Sequence, residues 1–503
     1  MLYQSTRGDS HQASSAEAIK RGIAPDGGLF VPTDPISFSA EEICALTGMD
    51  YRERAVRILT PYLSDFNTAE ILDCVGSAYS ERNFDHPAVA PLVELDQGLA
   101  VLELWHGPTC AFKDMALQIL PHLLVKSMVK TGEDDGILIL VATSGDTGKA
   151  ALEGFKDVPR TAIVVFYPAQ GVSEVQRLQM VTQEGNNVGV VAVQGNFDDT
   201  QNGVKDIFGA QAMTDIVAER GYKFSSANSI NWGRLAPQIV YYFSAYADLL
   251  ANGRISSGQP VNFVVPTGNF GNILAGYYAR EMGLPVHRLI CAANENNVLT
   301  DFIRTGVYDR VRSFKTTISP SMDILISSNL ERLLFELTGQ DAPRIKKWMS
   351  LLKLQGRYEV DTGTGEKVQR LFWSDFASDD ETLRSIREIH RRYGYVVDTH
   401  TAVGLHVYDK YRNTTGDDTP AVVLSTASPF KFNASVAKAL LGANETMGKT
   451  EFELLQTLSV VSGMPIPRGL RDLQNRPVLH ESVVESEQMP QSVISFVNEL
   501  TGK

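Results

Sequence analysis

The sequence predicts an α/β protein built on mainly parallel sheets, on three observations. Short apolar, β-branched runs alternate with amphipathic helical stretches from residue 99 onward. Several of these runs end directly in a loop rich in Gly, Ser, Thr and Asn that opens a helix, the arrangement of a strand followed by a crossover. The composition is that of an ordinary globular chain, 503 residues with 43% hydrophobic and 21% charged side chains, which is long enough for two to four domains or subdomains.

Taken in order, residues 1–95 read as an N-terminal domain with a Gly-rich turn at 25–32 and a helical portion over 39–80. Residues 101–104 read as a strand, 112–130 as helix broken at Pro121, and 137–142 as a buried strand. Further β-rich runs lie at 161–166, 187–193, 261–265, 289–293 and 421–424. Helical, charged sequence over about 309–375 breaks the alternation and reads as an inserted helical lobe. The stretch 446–503, irregular and polar with Pro465, Pro467, Pro477 and Pro490, reads as a C-terminal surface segment. The expected division is 1–95, a large domain of 96–135 and 253–445, a small α/β domain of 136–252, and 446–503.

A net charge of −13 argues against nucleic acid or an anionic membrane as main partner, while leaving room for a local anion site. The four cysteines, Cys44, Cys74, Cys110 and Cys291, form no CxxC pair, so neither a zinc site nor a disulfide framework is indicated. No apolar run reaches membrane-spanning length and the first residues lack a signal-peptide pattern, which reads as a cytoplasmic protein.

In parallel sheets, ligands gather where strands end, so the loops there hold the candidate chemistry. Lys113 follows the Gly107, Pro108 turn and opens an apolar run at helical spacing (Phe112, Met115, Ala116, Ile119, Leu120). A helix N-terminus and poorly solvating neighbours both lower an ammonium pKa toward a nucleophilic neutral amine. Taken alone, the same lysine reads as a surface side chain laying its stem on apolar neighbours. Residues 142–151 (Ala142, Thr143, Ser144, Gly145, Asp146, Thr147, Gly148, Lys149, Ala150, Ala151) offer hydroxyls and free N–H groups at a helix start, which suits an anion or a plain N-cap. A Walker A loop is excluded, because Thr143 replaces its first Gly and Ala150 its Ser or Thr.

Residues 266–272 (Pro266, Thr267, Gly268, Asn269, Phe270, Gly271, Asn272) place two glycines where backbone N–H groups can converge on a phosphate, or where a ligand-free turn needs them. Residues 226–234 combine Asn228, Ser229 and Arg234, suited to a dianion, although Arg234 reads equally as a helix-surface charge. Thr426 follows the 421–424 strand, where it could hydrogen-bond a ligand ring atom, although a structural turn accounts for it better. His400 reads as a structural, hydrogen-bonded histidine ahead of a site residue.

Together these stretches, with 321–324 (Ser321, Met322, Asp323, Ile324) and 398–403, resemble the threonine synthases, pyridoxal-phosphate enzymes of fold type II (tryptophan-synthase-β-like), in the longer bacterial and fungal form. The resemblance implies two mainly parallel-sheet α/β domains, an N-terminal domain and the inserted helical lobe. It also implies Lys113 as Schiff-base lysine and proton shuttle. Gly268, Asn269, Phe270, Gly271 and Asn272 are implied around the cofactor phosphate, Thr426 at the pyridine nitrogen and Asp146 near the ring hydroxyl. Thr143 and Ser144 are implied at the substrate carboxylate, and Thr147, Asn228, Ser229 and Arg234 at the substrate phosphate. The implied reaction takes O-phosphohomoserine and water to threonine and phosphate, in a monomer or homodimer. Two alternatives remain at this point: a phospho-lyase giving 2-oxobutyrate, and a non-catalytic sensor of pyridoxal phosphate or a metabolite. One departure stands out, since many relatives carry His where Thr426, Ala427, Ser428, Pro429 has Ser428.

Overall fold

Residues 1–143 and 145–502 are described by a computed structural model. Two separate sheets organise it. The larger runs in space Phe372–Phe376, Val286–Ala293, Val261–Pro266, Ala421–Ser425, Leu99–Glu103, Leu92–Asp96. Its strands are parallel apart from Leu92–Asp96, which pairs antiparallel with Leu99–Glu103 at one edge. The smaller sheet is parallel throughout, in the order Val483–Val484, Val188–Val193, Thr161–Pro168, Gly136–Ala142, Tyr222–Ser225.

The inner strands were readable because both faces of each are covered, which makes them continuous apolar runs. In Gly136–Ala142, Ile137, Ile139 and Val141 turn to the main core, while Leu138 and Leu140 turn to a second cluster with Val164, Phe166 and Val193. That second cluster is closed by Val204 and Ile207, by Met213 and Val217, and by Met489, Val493 and Val497 of the helix Met489–Thr501.

The edges differ from the sequence expectation. Phe372–Phe376, at the end of the stretch read as a helical lobe, is an edge strand of the large sheet. Leu92–Asp96 and Tyr222–Ser225 are strands with half-exposed or exposed positions, and such edges carry no unbroken apolar run to betray them. The tail is not merely irregular: it holds the helices Glu451–Ser462 and Met489–Thr501 and adds Val483–Val484 to the small sheet. The expected helix over 112–130 is two, Asp114–Leu117 and Leu120–Lys130, with Pro121 in the first turn of the second, where its missing N–H costs nothing. The stretch after 309 does contain the helices Leu330–Leu337, Ala342–Gln355 and Thr362–Leu371. No helix among the described residues is long and apolar enough to cross a membrane, and all four cysteines are free thiols.

Candidate active site

Adjacency in the large sheet brings three loops together. Val261–Pro266, Ala421–Ser425 and Leu99–Glu103 are neighbours, so the segments after their C-terminal ends, 267–272, 426–432 and 104–114, lie side by side. The last two are stitched directly. Phe112 N donates to Thr426 O at 2.8 Å, Ser428 N donates to Cys110 O at 3.0 Å, and Ala111 bridges Ala427. Thr426 is thereby held against the segment that presents Lys113. Ser428 caps the short helix Pro429–Phe432 through its hydroxyl, which accepts from Phe430 N.

The turn before Lys113 is closed by buried Asp114, which accepts from Thr109 N (2.8 Å) and Thr109 Oγ1 (2.7 Å). Gly107 leaves room for it, since a Cβ there would stand 2.4 Å from Asp114 Cβ. Lys113 occupies the N-cap position of Asp114–Leu117. Its side chain is 11% exposed, and Nζ donates to Ser321 Oγ at 3.2 Å and stands 3.7 Å from Asp146 Oδ2. Burial pushes the amine down to about 8, helped by Lys431 and Arg234 and opposed by Asp146.

Asp146 begins the helix Asp146–Phe155. One carboxylate oxygen meets Lys431 Nζ at 3.0 Å and Gln176 Nε2 at 2.8 Å, and the other accepts from Ser321 Oγ at 2.9 Å. Burial would raise its pKa, but Lys431 and Lys113 outweigh that and hold the carboxyl far below the usual range. Lys431, fully buried, also donates to Thr109 O at 2.8 Å. Gly145, with φ of +142°, permits the turn into this helix, and a Cβ there would strike Gln176. Thr143 Oγ1 accepts from Gly145 N and Gly148 N, both at 3.0 Å, so this hydroxyl ties the turn together. Thr147 is half-buried on the first turn of the helix, and Ser144 lies outside the described residues.

The 268–272 loop leads into a helix N-terminus beside a buried polar atom without a partner. Phe270 takes a left-handed conformation (φ +62°), which aims the first turn of Gly271–Glu281 into the site, while its ring packs against Phe372. Asn272 Oδ1 accepts from Tyr241 (2.6 Å) and Tyr242 (3.0 Å), which fixes the amide and leaves Nδ2 buried without an acceptor. An orphaned donor beside the free N–H groups of a helix N-terminus fits an anionic group. Gly268 is required by close approach, since its Cβ would lie 2.7 Å from Ser321 O. Asn269 is exposed and its carbonyl accepts from Asn329 Nδ2 at 3.1 Å.

Asn329 Nδ2 also donates to Ser229 O at 3.2 Å, so the 226–234 loop is moored to the same cradle. Asn228 is exposed and Ser229 half-buried there. Arg234 is 5% exposed and donates from Nη1 to Ala227 O at 2.8 Å. No carboxylate among the described residues pairs with it, and burial pulls the guanidinium down to about 10. It is not the surface charge that its helical position permits. Lys113, Lys431 and Arg234 therefore share one buried region with Asp146 as their near carboxylate, a local excess of positive charge in a chain of net −13.

Sequence reasoning left three participants without a role: Ser321, Lys431 and Gln176. Their contacts are tertiary, and no local pattern announces them. His400 is buried and structural in its bonding, as read. Nδ1 lies 2.8 Å from Asp398 Oδ2 while Nε2 accepts from Ser321 N at 3.1 Å, which puts the ring proton on Nδ1.

Comparison with known proteins agrees with this geometry. Family models described as "Threonine synthase N terminus", "Pyridoxal-phosphate dependent enzyme" and "Threonine synthase, C-terminal" match residues 2–79, 85–364 and 401–497. Threonine synthase of Pseudomonas aeruginosa is 42% identical over 88% of this chain and 91% of its own length. Human threonine synthase-like 1 is 42% identical over 84% of this chain, which spans 58% of that longer protein. The crystal structure of pyridoxal-phosphate-bound threonine synthase from Brucella melitensis is 38% identical, superposes with a TM-score of 0.87, and is covered over 100% of both chains. The chain thus belongs to the threonine synthase family of pyridoxal-phosphate-dependent enzymes.

Proposed function

We propose that this protein is a threonine synthase that converts O-phosphohomoserine and water to threonine and phosphate with pyridoxal phosphate as cofactor. The observation that carries the reading is the pairing of a buried, low-pKa Lys113 with a buried Arg234 that has no carboxylate partner among the described residues. The reaction needs both, a nucleophilic amine and a second anion site besides the cofactor's own.

When bound, pyridoxal phosphate supplies the electron sink that makes the substrate's α- and β-protons removable. Lys113 would hold the cofactor through Nζ, and its amine would take and return protons at the substrate's α- and β-carbons. An amine titrating near 8 suits both directions of transfer close to neutral pH. Residues 268–272 receive the cofactor phosphate, with Asn272 Nδ2 as the free donor. Thr426 would sit at the pyridine nitrogen, where a neutral hydroxyl would not hold a proton on it as a carboxylate would. Asp146 would lie near the cofactor's ring hydroxyl. Thr143 and Ser144 take the substrate carboxylate. Arg234, with Thr147, Asn228 and Ser229, takes the substrate phosphate and retains it after it leaves.

The same reading divides the chain into 1–95, a cofactor domain of 96–135 and 253–445, a small domain of 136–252 and the tail of 446–503. The two separate sheets support the boundaries of the small domain, while Leu92–Asp96 joins the large sheet and Val483–Val484 the small one. A monomer or homodimer in the cytoplasm is the accompanying expectation. The test is incubation of the full chain and pyridoxal phosphate with O-phosphohomoserine, assaying threonine and 2-oxobutyrate together. Threonine is expected as the main product, and 2-oxobutyrate without threonine overturns the proposal.

A further inference from the structure

The two candidate anion loops, 226–234 and 267–272, come from separate parts of the chain and yet adjoin. A Cβ on Gly271 would stand 3.7 Å from Ser229 Cβ and 3.4 Å from Asn329 Nδ2. Asn329 is fully buried at this junction, and both polar atoms of its side chain are used. Nδ2 donates one proton to Asn269 O at 3.1 Å and the other to Ser229 O at 3.2 Å. Its backbone N–H adds a second bond to Asn269 O at 3.2 Å. Oδ1 accepts from Arg332 Nη1 at 2.6 Å. Arg332, also fully buried, donates from Nη2 to Ile230 O at 2.6 Å and from Nε to Phe30 O at 3.0 Å, which braces the pair against the N-terminal part of the chain.

These bonds fix which way the peptide planes of the loops face. In a trans peptide the C=O and N–H point in opposite directions, and the described residues contain no cis bond. With the Asn269 and Ser229 carbonyls turned to Asn329, the N–H groups of Phe270 and Ile230 point away from it, and neither donates to a backbone carbonyl among the described residues. A carbonyl turned outward would repel an anion, whereas a free N–H attracts one.

We propose that Asn329, braced by Arg332, is a positioning residue that couples the two anion sites: one carboxamide holds a carbonyl of each loop, so that ordering one loop around its anion orders the other. Packing alone is the competing role. It predicts that removing the carboxamide loosens the surrounding core, whereas coupling predicts a loss confined to communication between the loops.

The inference rests on the proposed placing of the cofactor phosphate at 268–272, and its test reads backbone amides rather than threonine. Hydrogen exchange is followed by mass spectrometry on the full chain, without and with saturating pyridoxal phosphate, over 226–234, 266–272 and, as control, the buried strand Gly136–Ala142. In the wild type the cofactor should slow exchange in 266–272 and also, by about fivefold or more, in 226–234. Asn329→Asp is nearly isosteric, keeps the acceptor for Arg332 and gives that buried guanidinium a counter-charge, but it sets an oxygen against two carbonyls in place of both donors. The backbone N–H at 329 still holds Asn269 O, so protection of 266–272 should survive while that of 226–234 is lost. Asn329→Ala, which removes the carboxamide without adding charge, should do the same. Wild-type protection confined to 266–272, protection of 226–234 that survives in either variant, or a variant whose control strand loosens as far as 226–234 overturns the proposal. Absence of wild-type protection at 266–272 strikes the cradle assignment too, so failure of the proposed function and failure of this inference alone are distinguishable.

Discussion

Replacing Arg234 with Met separates binding from folding, because the two effects have opposite signs. Burial brings the guanidinium down to about 10 with no carboxylate to compensate. At ~1.4 kcal/mol per pKa unit, the folded chain carries about 3 kcal/mol of uncompensated desolvation at this side chain. Methionine fills a similar volume without that penalty. Against the gain stands the hydrogen bond to Ala227 O, whose loss leaves a buried carbonyl unsatisfied at about 1–3 kcal/mol. The ligand-free variant should therefore be between about 0 and 2 kcal/mol more stable than wild type in urea titrations. Loss of a bidentate, charge-assisted contact to a dianion should meanwhile cost about 3–5 kcal/mol in kcat/KM for O-phosphohomoserine, two to four orders of magnitude. With pyridoxal phosphate bound at 268–272, inorganic phosphate should stabilise the wild type and leave the variant's midpoint in place. A variant that loses more than about 2 kcal/mol of stability, or whose uptake of pyridoxal phosphate falls as far as its use of substrate, refutes the assignment of Arg234 to the substrate phosphate.

Two further perturbations probe the carboxylate and the cradle. Asp146→Asn leaves Lys431 buried without a counter-charge and should cost about 3–5 kcal/mol at neutral pH by urea titration. Because the folded-state pKa of Asp146 is depressed, its contribution is complete above the ordinary carboxylate range and is lost as pH falls below about 4. The deficit of the variant should accordingly shrink in acid, and a deficit that stays constant from neutral pH into acid counts against the ion pair. Gly268→Ala pushes a Cβ against Ser321 O and toward Met322, main-chain atoms that cannot rotate away, and should cost about 1–3 kcal/mol. It should also weaken pyridoxal phosphate uptake measured by absorbance, and wild-type uptake in this variant would show that the cradle does not need the close approach.

Much of this molecule was decided locally. The inner strands of both sheets have side chains buried on both faces, and so they had to be written as unbroken runs such as Ile137, Leu138, Ile139, Leu140, Val141. Loops that must turn tightly carry residues for that purpose, and Gly268, which Ser321 O leaves no room to replace, could be read in place. Lys113, Asp146, Arg234 and the 268–272 loop were legible because each sits where a strand hands over to a helix. Edge strands such as Tyr222–Ser225 and Phe372–Phe376 were not, since an edge is half-exposed and its residues are chosen as much for water as for the sheet.

What only the tertiary structure decided is charge and company. By sequence alone Arg234 was as good a surface residue as a buried one, and desolvation is a property of everything packed around it. Lys113 was expected to be softened by a helix end and its apolar neighbours. In the fold the main cause is burial, aided by Lys431 and Arg234, which arrive from segments hundreds and more than a hundred residues away. Lys431 reaches Asp146 only because Ala421–Ser425 lies between Val261–Pro266 and Leu99–Glu103 in the sheet, and Ser321 only because its turn is pinned to His400. Strand order and side-chain contact are non-local, set by the packing of the whole core, and for that reason the chain announces its loops but not which groups they will share.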